Sequence, residues 1–135
     1  MISPTLDSIR IFLHVLAAAV WVGGQIVVAG VVPALRKSSG TEGTKSLANG
    51  FARVAWPAFG LALITGMWGL LARDGDSSTE YSVTFGIKFL LYIAAGASAV
   101  AHARSMKRPV IAVTGALGLL FSLIVMFLGT LLAHG

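Results

Sequence analysis

The chain has 135 residues, of which 56% are hydrophobic and only 11% are charged, with ten Lys and Arg against five Asp and Glu. Soluble domains carry about 25% charged residues, so this composition and a mean hydropathy of +0.87 predict a single-domain membrane protein and argue against a nucleic-acid partner. The chain has no cysteine, which excludes disulfides and thiolate metal sites.

Four hydrophobic stretches predict an all-α, integral membrane four-helix transmembrane bundle that forms one domain over residues 1–135. Each stretch has the length of roughly 20 residues that a helix needs to cross the hydrocarbon core. Residues 36–50, between the first two stretches, are rich in Gly and Ser, and we expect a loop there. The predicted helices cover about residues 9–34, 51–72, 83–104 and 109–133.

Basic residues predict the orientation of these helices. They are concentrated in and beside the first and third connections, whereas the second connection holds Arg73 with Asp74, Asp76 and Glu80. Cytoplasmic loops of membrane proteins carry an excess of Lys and Arg. We therefore expect both termini on the non-cytoplasmic side. The basic residues of the first and third connections are Arg36, Lys37, Lys45, Arg53, Arg104, Lys107 and Arg108.

The first helix carries a polar and aromatic stripe in an apolar setting. Arg10, His14, Trp21 and Gln25 fall on one face at helical spacing, although residues 11–35 contain no charged residue. Polar groups at membrane depth usually face a bundle interior or a cofactor. His14 is thus a candidate ligand, and the alternative is a core histidine bonded to a neighbouring carbonyl. Trp21 suits packing or an aromatic anchor as well as stacking on a ligand.

Two glycines lie beside this stripe. Gly23 and Gly24 have no side chains, so another backbone or a flat ligand can approach the helix there. We expect them to leave room for a macrocycle, with Arg10 as a partner for an acidic group of the ligand.

The third helix carries a second stripe with Lys88, Tyr92 and His102. Lys88 either extends to the membrane surface or forms a buried cation that faces the His14 stripe and accepts a carboxylate. Tyr92 suits packing as well as a place beside a cofactor. His14 and His102 lie at opposite depths in the predicted bundle, so we expect no metal ion shared between them.

Three segments resemble known helices. FLHVLAAAVWVGG, ARVAWPAFGLALITGMWGL and GIKFLLYIAAGASAVAHAR are similar to the first three helices of the copper-resistance D (CopD) domain superfamily, which includes the HemJ-type protoporphyrinogen oxidases. The resemblance implies that His14 is the axial ligand of a b-type haem and that Lys88 is essential for catalysis. The cofactor-binding residues expected with them are Arg10, Trp21, Gly23, Gly24 and Tyr92.

The expected function is therefore haem b binding in a multi-pass protein of a bacterial-type inner membrane, with electron transfer or porphyrin redox chemistry. The resemblance includes a HemJ-like protoporphyrinogen oxidoreductase activity. One alternative is copper uptake or handling of the CopD type, and another is a non-catalytic accessory subunit. Expected partners are the lipid bilayer, a second copy or a larger membrane complex, and a porphyrin or electron-transfer partner.

Overall fold

A computed structural model describes residues 1–73, 75 and 77–135. Asp74 and Asp76, two acidic residues of the predicted second connection, lie outside the described residues. The described chain is all-helical and forms two compact units, Met1–Asp74 and Gly75–Gly135. The first unit contains α1 (Leu6–Ala18), a π-helical turn (Ala19–Gly23) and α2 (Gly24–Leu71), and the second contains α3 (Thr79–Arg104) and α4 (Arg108–His134).

The prediction of four separate membrane helices is wrong. The described residues contain three helices that are long and apolar enough to cross a membrane: Leu6–Leu71, Thr79–Arg104 and Arg108–His134. The length and hydropathy of these helices are consistent with a membrane protein. The predicted orientation placed both termini on the non-cytoplasmic side. It assumed four membrane crossings, so it is wrong together with the number of helices.

The loop expected at residues 36–50 is helical except at Gly40, so the first two predicted helices belong to one stretch of 66 residues. Its polar side chains bond to backbone carbonyls one turn earlier in the chain. Ser38 donates to the Leu35 carbonyl at 3.3 Å, and Thr44 donates to the Gly40 carbonyl at 3.0 Å. Serine, which together with glycine suggested a loop, and threonine are therefore accommodated within helical turns.

The 66-residue helical stretch folds back on itself at Gly40, where the backbone is not helical (φ 60°, ψ −154°). Glycine adopts this conformation readily because it has no Cβ. His14 and Thr65, 51 positions apart, are joined by a contact of 2.8 Å. A straight helix would separate them by roughly 77 Å at 1.5 Å per residue. The first unit is therefore a helical hairpin.

The π-helical turn Ala19–Gly23 lies between α1 and α2 and contains Trp21 and Val22, both buried. A π turn widens the helix locally, and such turns are frequent at functional sites. The sequence pattern did not predict it, because a helical stripe is drawn with a constant 3.6 residues per turn.

In the second unit, α3 and α4 pack closely through small residues. A Cβ on Gly118 would lie 3.6 Å from Cβ of Ser98, and Ala95 on α3 is only 2% exposed. Ser122 is also buried, and its hydroxyl donates to the Gly118 carbonyl at 2.7 Å. Small residues allow two helices to approach closely where both are apolar.

The two units share one packing pattern. In each, a cationic side chain on the first helix lies against a glycine near the end of the second. A Cβ on Gly69 would lie 2.5 Å from Nη1 of Arg10, and one on Gly129 would lie 3.3 Å from Nζ of Lys88. The buried alanines Ala17 and Ala95 each follow the cation by seven positions. The sequence shows no evident repeat, so this likeness is a finding of the structure.

Candidate functional site

His14 is held by two adjacent residues of α2. Its Nδ1 lies 2.8 Å from Oγ1 of Thr65, a side chain that is only 1% exposed. A Cβ on Gly66 would lie 3.4 Å from Cε1 of His14, so the imidazole ring lies directly against the backbone of α2. The half-buried ring is therefore fixed in position by a hydroxyl and a glycine.

The partner of Nδ1 is a side-chain hydroxyl, not the backbone carbonyl that the alternative interpretation of His14 expected. Sequence reasoning did not identify Thr65 as a site residue. The available signal was the Thr65-Gly66 pair in an apolar helix, because a hydroxyl beside a glycine allows a polar side chain from another helix to approach and bond.

Arg10 lies one turn before His14 and pairs with Asp7. Its Nη2 and Nε lie 3.2 and 3.3 Å from Oδ1 of Asp7. The Asp7 side chain is 70% exposed, so the pair contributes little to stability. A guanidinium has five N–H donors, and the pair uses only some of them. Arg10 can therefore also donate hydrogen bonds to an anionic group of a ligand.

Trp21 is buried in a cluster of three aromatic rings. Its ring centroid lies 5.3 Å from that of Trp56 and 4.7 Å from that of Phe59, and the latter two are 5.5 Å apart. The side-chain amide of Gln25 donates to the Trp21 carbonyl at 3.1 Å. These contacts give Trp21 a packing role, and sequence reasoning missed both of its ring partners.

The two glycines beside the stripe differ in their surroundings. A Cβ on Gly24 would overlap the ring of Phe51, so a side chain fills the space that we expected to be open. A Cβ on Gly23 would meet no described atom within 4 Å beyond its chain neighbours and the backbone of its own helical turns. Any flat ligand on this part of the helix is therefore restricted to the side of Gly23.

Lys88 lies on α3 in the second unit and is half-buried. Its ammonium lies against the backbone of α4 at Gly129. Within the part of the chain that the structure describes, Arg10 and Asp7 form the only ion pair, so no described carboxylate pairs with Lys88. Tyr92, one turn further along α3, is also half-buried. The expected meeting of Lys88 with His14, which belongs to the other unit, stays a prediction.

The other two histidines are exposed and bonded to backbone. Nδ1 of His102 lies 2.8 Å from the Ile111 carbonyl, and Nδ1 of His134 lies 2.8 Å from the Thr130 carbonyl. Among residues 1–73, 75 and 77–135, no three His, Asp or Glu side chains are grouped to hold a metal ion. His14 is thus the histidine that combines partial burial with a side-chain partner.

Comparisons with protein-family models, with curated proteins and with solved structures each found no match. The protein is therefore described by the class to which its fold and its candidate site belong. It is an all-helical protein with three helices suited to a membrane. One of these helices carries an imidazole anchored by a buried hydroxyl.

Proposed function

We propose that this chain is a multi-pass protein of a bacterial-type inner membrane that binds b-type haem through His14. In this proposal the protein belongs to the CopD superfamily and acts in electron transfer or in porphyrin redox chemistry. The proposal combines the resemblance of three helical segments with the surroundings of one histidine.

The anchored imidazole of His14 is the observation that carries this proposal. The ring is half-buried in an apolar helical segment, and its Nδ1 is bonded to the buried hydroxyl of Thr65. Histidine ligands of metals typically bond through their second ring nitrogen to a protein group, which orients the ring. His14 has such a bond, and an imidazole is a common axial ligand of haem iron.

Some of the residues near His14 are suited to bind a haem, and others are not. Gly66 and Gly69 allow the His14 ring and the Arg10 guanidinium to lie against the backbone of α2, and Arg10 brings its charge one turn from His14. A guanidinium is a suitable partner for a propionate. Gly24 and Trp21, in contrast, pack against protein rings. We therefore retain His14 and Arg10 as haem-binding residues and assign Trp21 to packing.

A bound haem would supply one-electron chemistry at its iron, and the protein would set the reduction potential through ligation, hydrogen bonding and burial. Lys88 is the proposed catalytic residue for porphyrin chemistry. A half-buried ammonium without a described carboxylate partner is suited to attract an anionic substrate group such as a propionate. Tyr92, one turn away on α3, is proposed to contact the same porphyrin ligand as Lys88.

An optical spectrum of the detergent-solubilised protein tests the haem proposal. We expect a Soret band after haem supplementation, with a shift on reduction by dithionite. The variant His14→Ala is expected to lose this band while its far-ultraviolet circular dichroism remains helical. His102→Ala and His134→Ala serve as matched controls and should retain the band, because both side chains are exposed and bonded to backbone carbonyls.

A supplemented wild-type protein without a Soret band would contradict the proposal. Tight binding of Cu(I) in place of haem would favour the copper alternative. Co-purification with a larger membrane complex, with neither haem nor copper bound, would favour an accessory subunit.

A further inference from the structure

A chain of hydrogen bonds runs from His14 through Thr65 to the backbone of α2. Oγ1 of Thr65 lies 2.8 Å from Nδ1 of His14 and 2.7 Å from the carbonyl oxygen of Leu61. A hydroxyl has one hydrogen to donate, and a carbonyl oxygen only accepts. Two oxygens at 2.7 Å need a hydrogen between them, so the Thr65 hydroxyl donates to Leu61.

The direction of the second bond follows from the first. Because the Thr65 hydrogen is directed to Leu61, its Oγ1 meets His14 as an acceptor. Nδ1 of His14 must then supply the hydrogen of the 2.8 Å contact. In the opposite tautomer, the lone pair of Nδ1 would face an oxygen lone pair at a buried site, which is unfavourable.

We infer that Thr65 is a positioning residue that holds His14 in the tautomer protonated at Nδ1, so that the lone pair lies on Nε2. Thr65 is suited to this task because it is 1% exposed and water does not compete for its hydroxyl. The ring also lies against Gly66, which limits its rotation. The tautomer is thus set before any ligand binds.

The consequence for metal binding rests on the proposed function. A neutral imidazole coordinates a metal through its unprotonated nitrogen, and a hydrogen bond from the other nitrogen makes it a more basic ligand. In haem proteins such a bond affects the reduction potential. Thr65 would therefore prepare Nε2 of His14 as the donor to iron and lower the potential of the bound haem.

Nitrogen NMR of the full chain, labelled with 15N-histidine and measured in micelles without added haem, tests the tautomer directly. The spectrum distinguishes protonated from unprotonated ring nitrogens in neutral imidazoles. We expect wild-type His14 to be protonated at Nδ1. Thr65→Ser keeps the hydroxyl and should keep this state, whereas Thr65→Val has a similar shape without the hydroxyl and should shift His14 towards protonation at Nε2.

His102 provides an internal control in the same spectra. Its Nδ1 bonds to the Ile111 carbonyl in the other unit, so its tautomer should not respond to either substitution. Wild-type His14 protonated at Nε2 would overturn the inference, and this result needs no variant to fold. An unchanged tautomer in folded Thr65→Val would overturn it as well.

A second measurement separates this inference from the haem proposal. In the haem-loaded protein, Thr65→Val should raise the reduction potential, whereas Thr65→Ser should leave it near that of the wild type. An unchanged potential in Thr65→Val would contradict the role of Thr65 in tuning the haem. Absence of haem from the wild type would contradict the proposed function and leave the NMR result on the tautomer standing.

Discussion

At the scale of single residues, Lys88 is an unusual feature of the second unit. Its half-buried ammonium lies against the backbone of α4 at Gly129, inside a helix suited to a membrane. Ionisable side chains in such helices are costly and are commonly retained for function. No described carboxylate offsets this cost. The position of Lys88 therefore favours a functional role over a stabilising one.

Replacing this ammonium by an isosteric apolar side chain should stabilise the protein. We expect Lys88→Met to raise the free energy of unfolding by about 1 kcal/mol, because it removes from an apolar helix a charge with which no described carboxylate pairs. Thermal denaturation in detergent measures the change. Lys107→Met in the exposed turn before α4 is the control and should have little effect. Marked destabilisation by Lys88→Met would show that the ammonium has a structural partner.

The three histidines show why residue type alone does not identify a site. All three have Nδ1 within 2.8 Å of an oxygen, yet His102 and His134 are exposed and contact backbone carbonyls. Only at His14 is the partner a side chain, which a substitution can remove. The sequence predicted His14 as the candidate from its helical stripe, whereas Thr65, its partner 51 positions away, required the folded hairpin.

At the scale of helices, the hairpin of the first unit depends on close contacts at glycines. Gly24 receives the ring of Phe51 from the returning part of α2, and Gly66 receives the ring of His14. The reversal itself occurs at Gly40, whose positive φ favours glycine. The sequence indicated that Gly24 allows close approach, but the approaching group proved to be a protein side chain.

Adjacent glycines therefore offer a matched pair of substitutions. Gly24→Ala should lower the free energy of unfolding by about 1–3 kcal/mol, because the new methyl overlaps the Phe51 ring. Gly23→Ala should raise it by up to about 1 kcal/mol, because alanine favours helix and no described atom beyond its own helical turns lies within 4 Å of the new Cβ. Thermal or denaturant unfolding in detergent compares the two variants.

The variant Phe51→Ala identifies the cause of the effect at Gly24. On this background the ring is absent, so adding Gly24→Ala should no longer destabilise the protein. A penalty that persists without the ring would mean that some other contact restricts Gly24.

At the scale of the whole molecule, apolar surface faces outward. In the most apolar 18-residue windows of the three candidate membrane helices, only 11% to 17% of the residues are buried. Soluble proteins rarely expose large contiguous apolar patches. A lipid environment accounts for this surface, because acyl chains cover apolar side chains without cost.

Membrane fractionation tests this conclusion. We expect the protein to remain in the membrane pellet after an alkaline carbonate wash and to be released by detergent, because its apolar helices are solvated by lipid. A peripheral membrane protein expressed in the same cells is the control and should be removed by carbonate. Release of the intact protein by carbonate alone would contradict integral insertion.

By itself, the sequence determined that the chain is helical and apolar enough for a membrane, and it indicated His14 as a candidate ligand. These conclusions follow from hydropathy and helical periodicity, which are properties of neighbouring residues. The tertiary structure alone decided that residues 36–50 are helical on both sides of a reversal at Gly40, that Thr65 holds His14 and that Phe51 fills the space at Gly24. The last two depend on which distant residues meet when the chain reverses at Gly40, and local patterns do not contain that information.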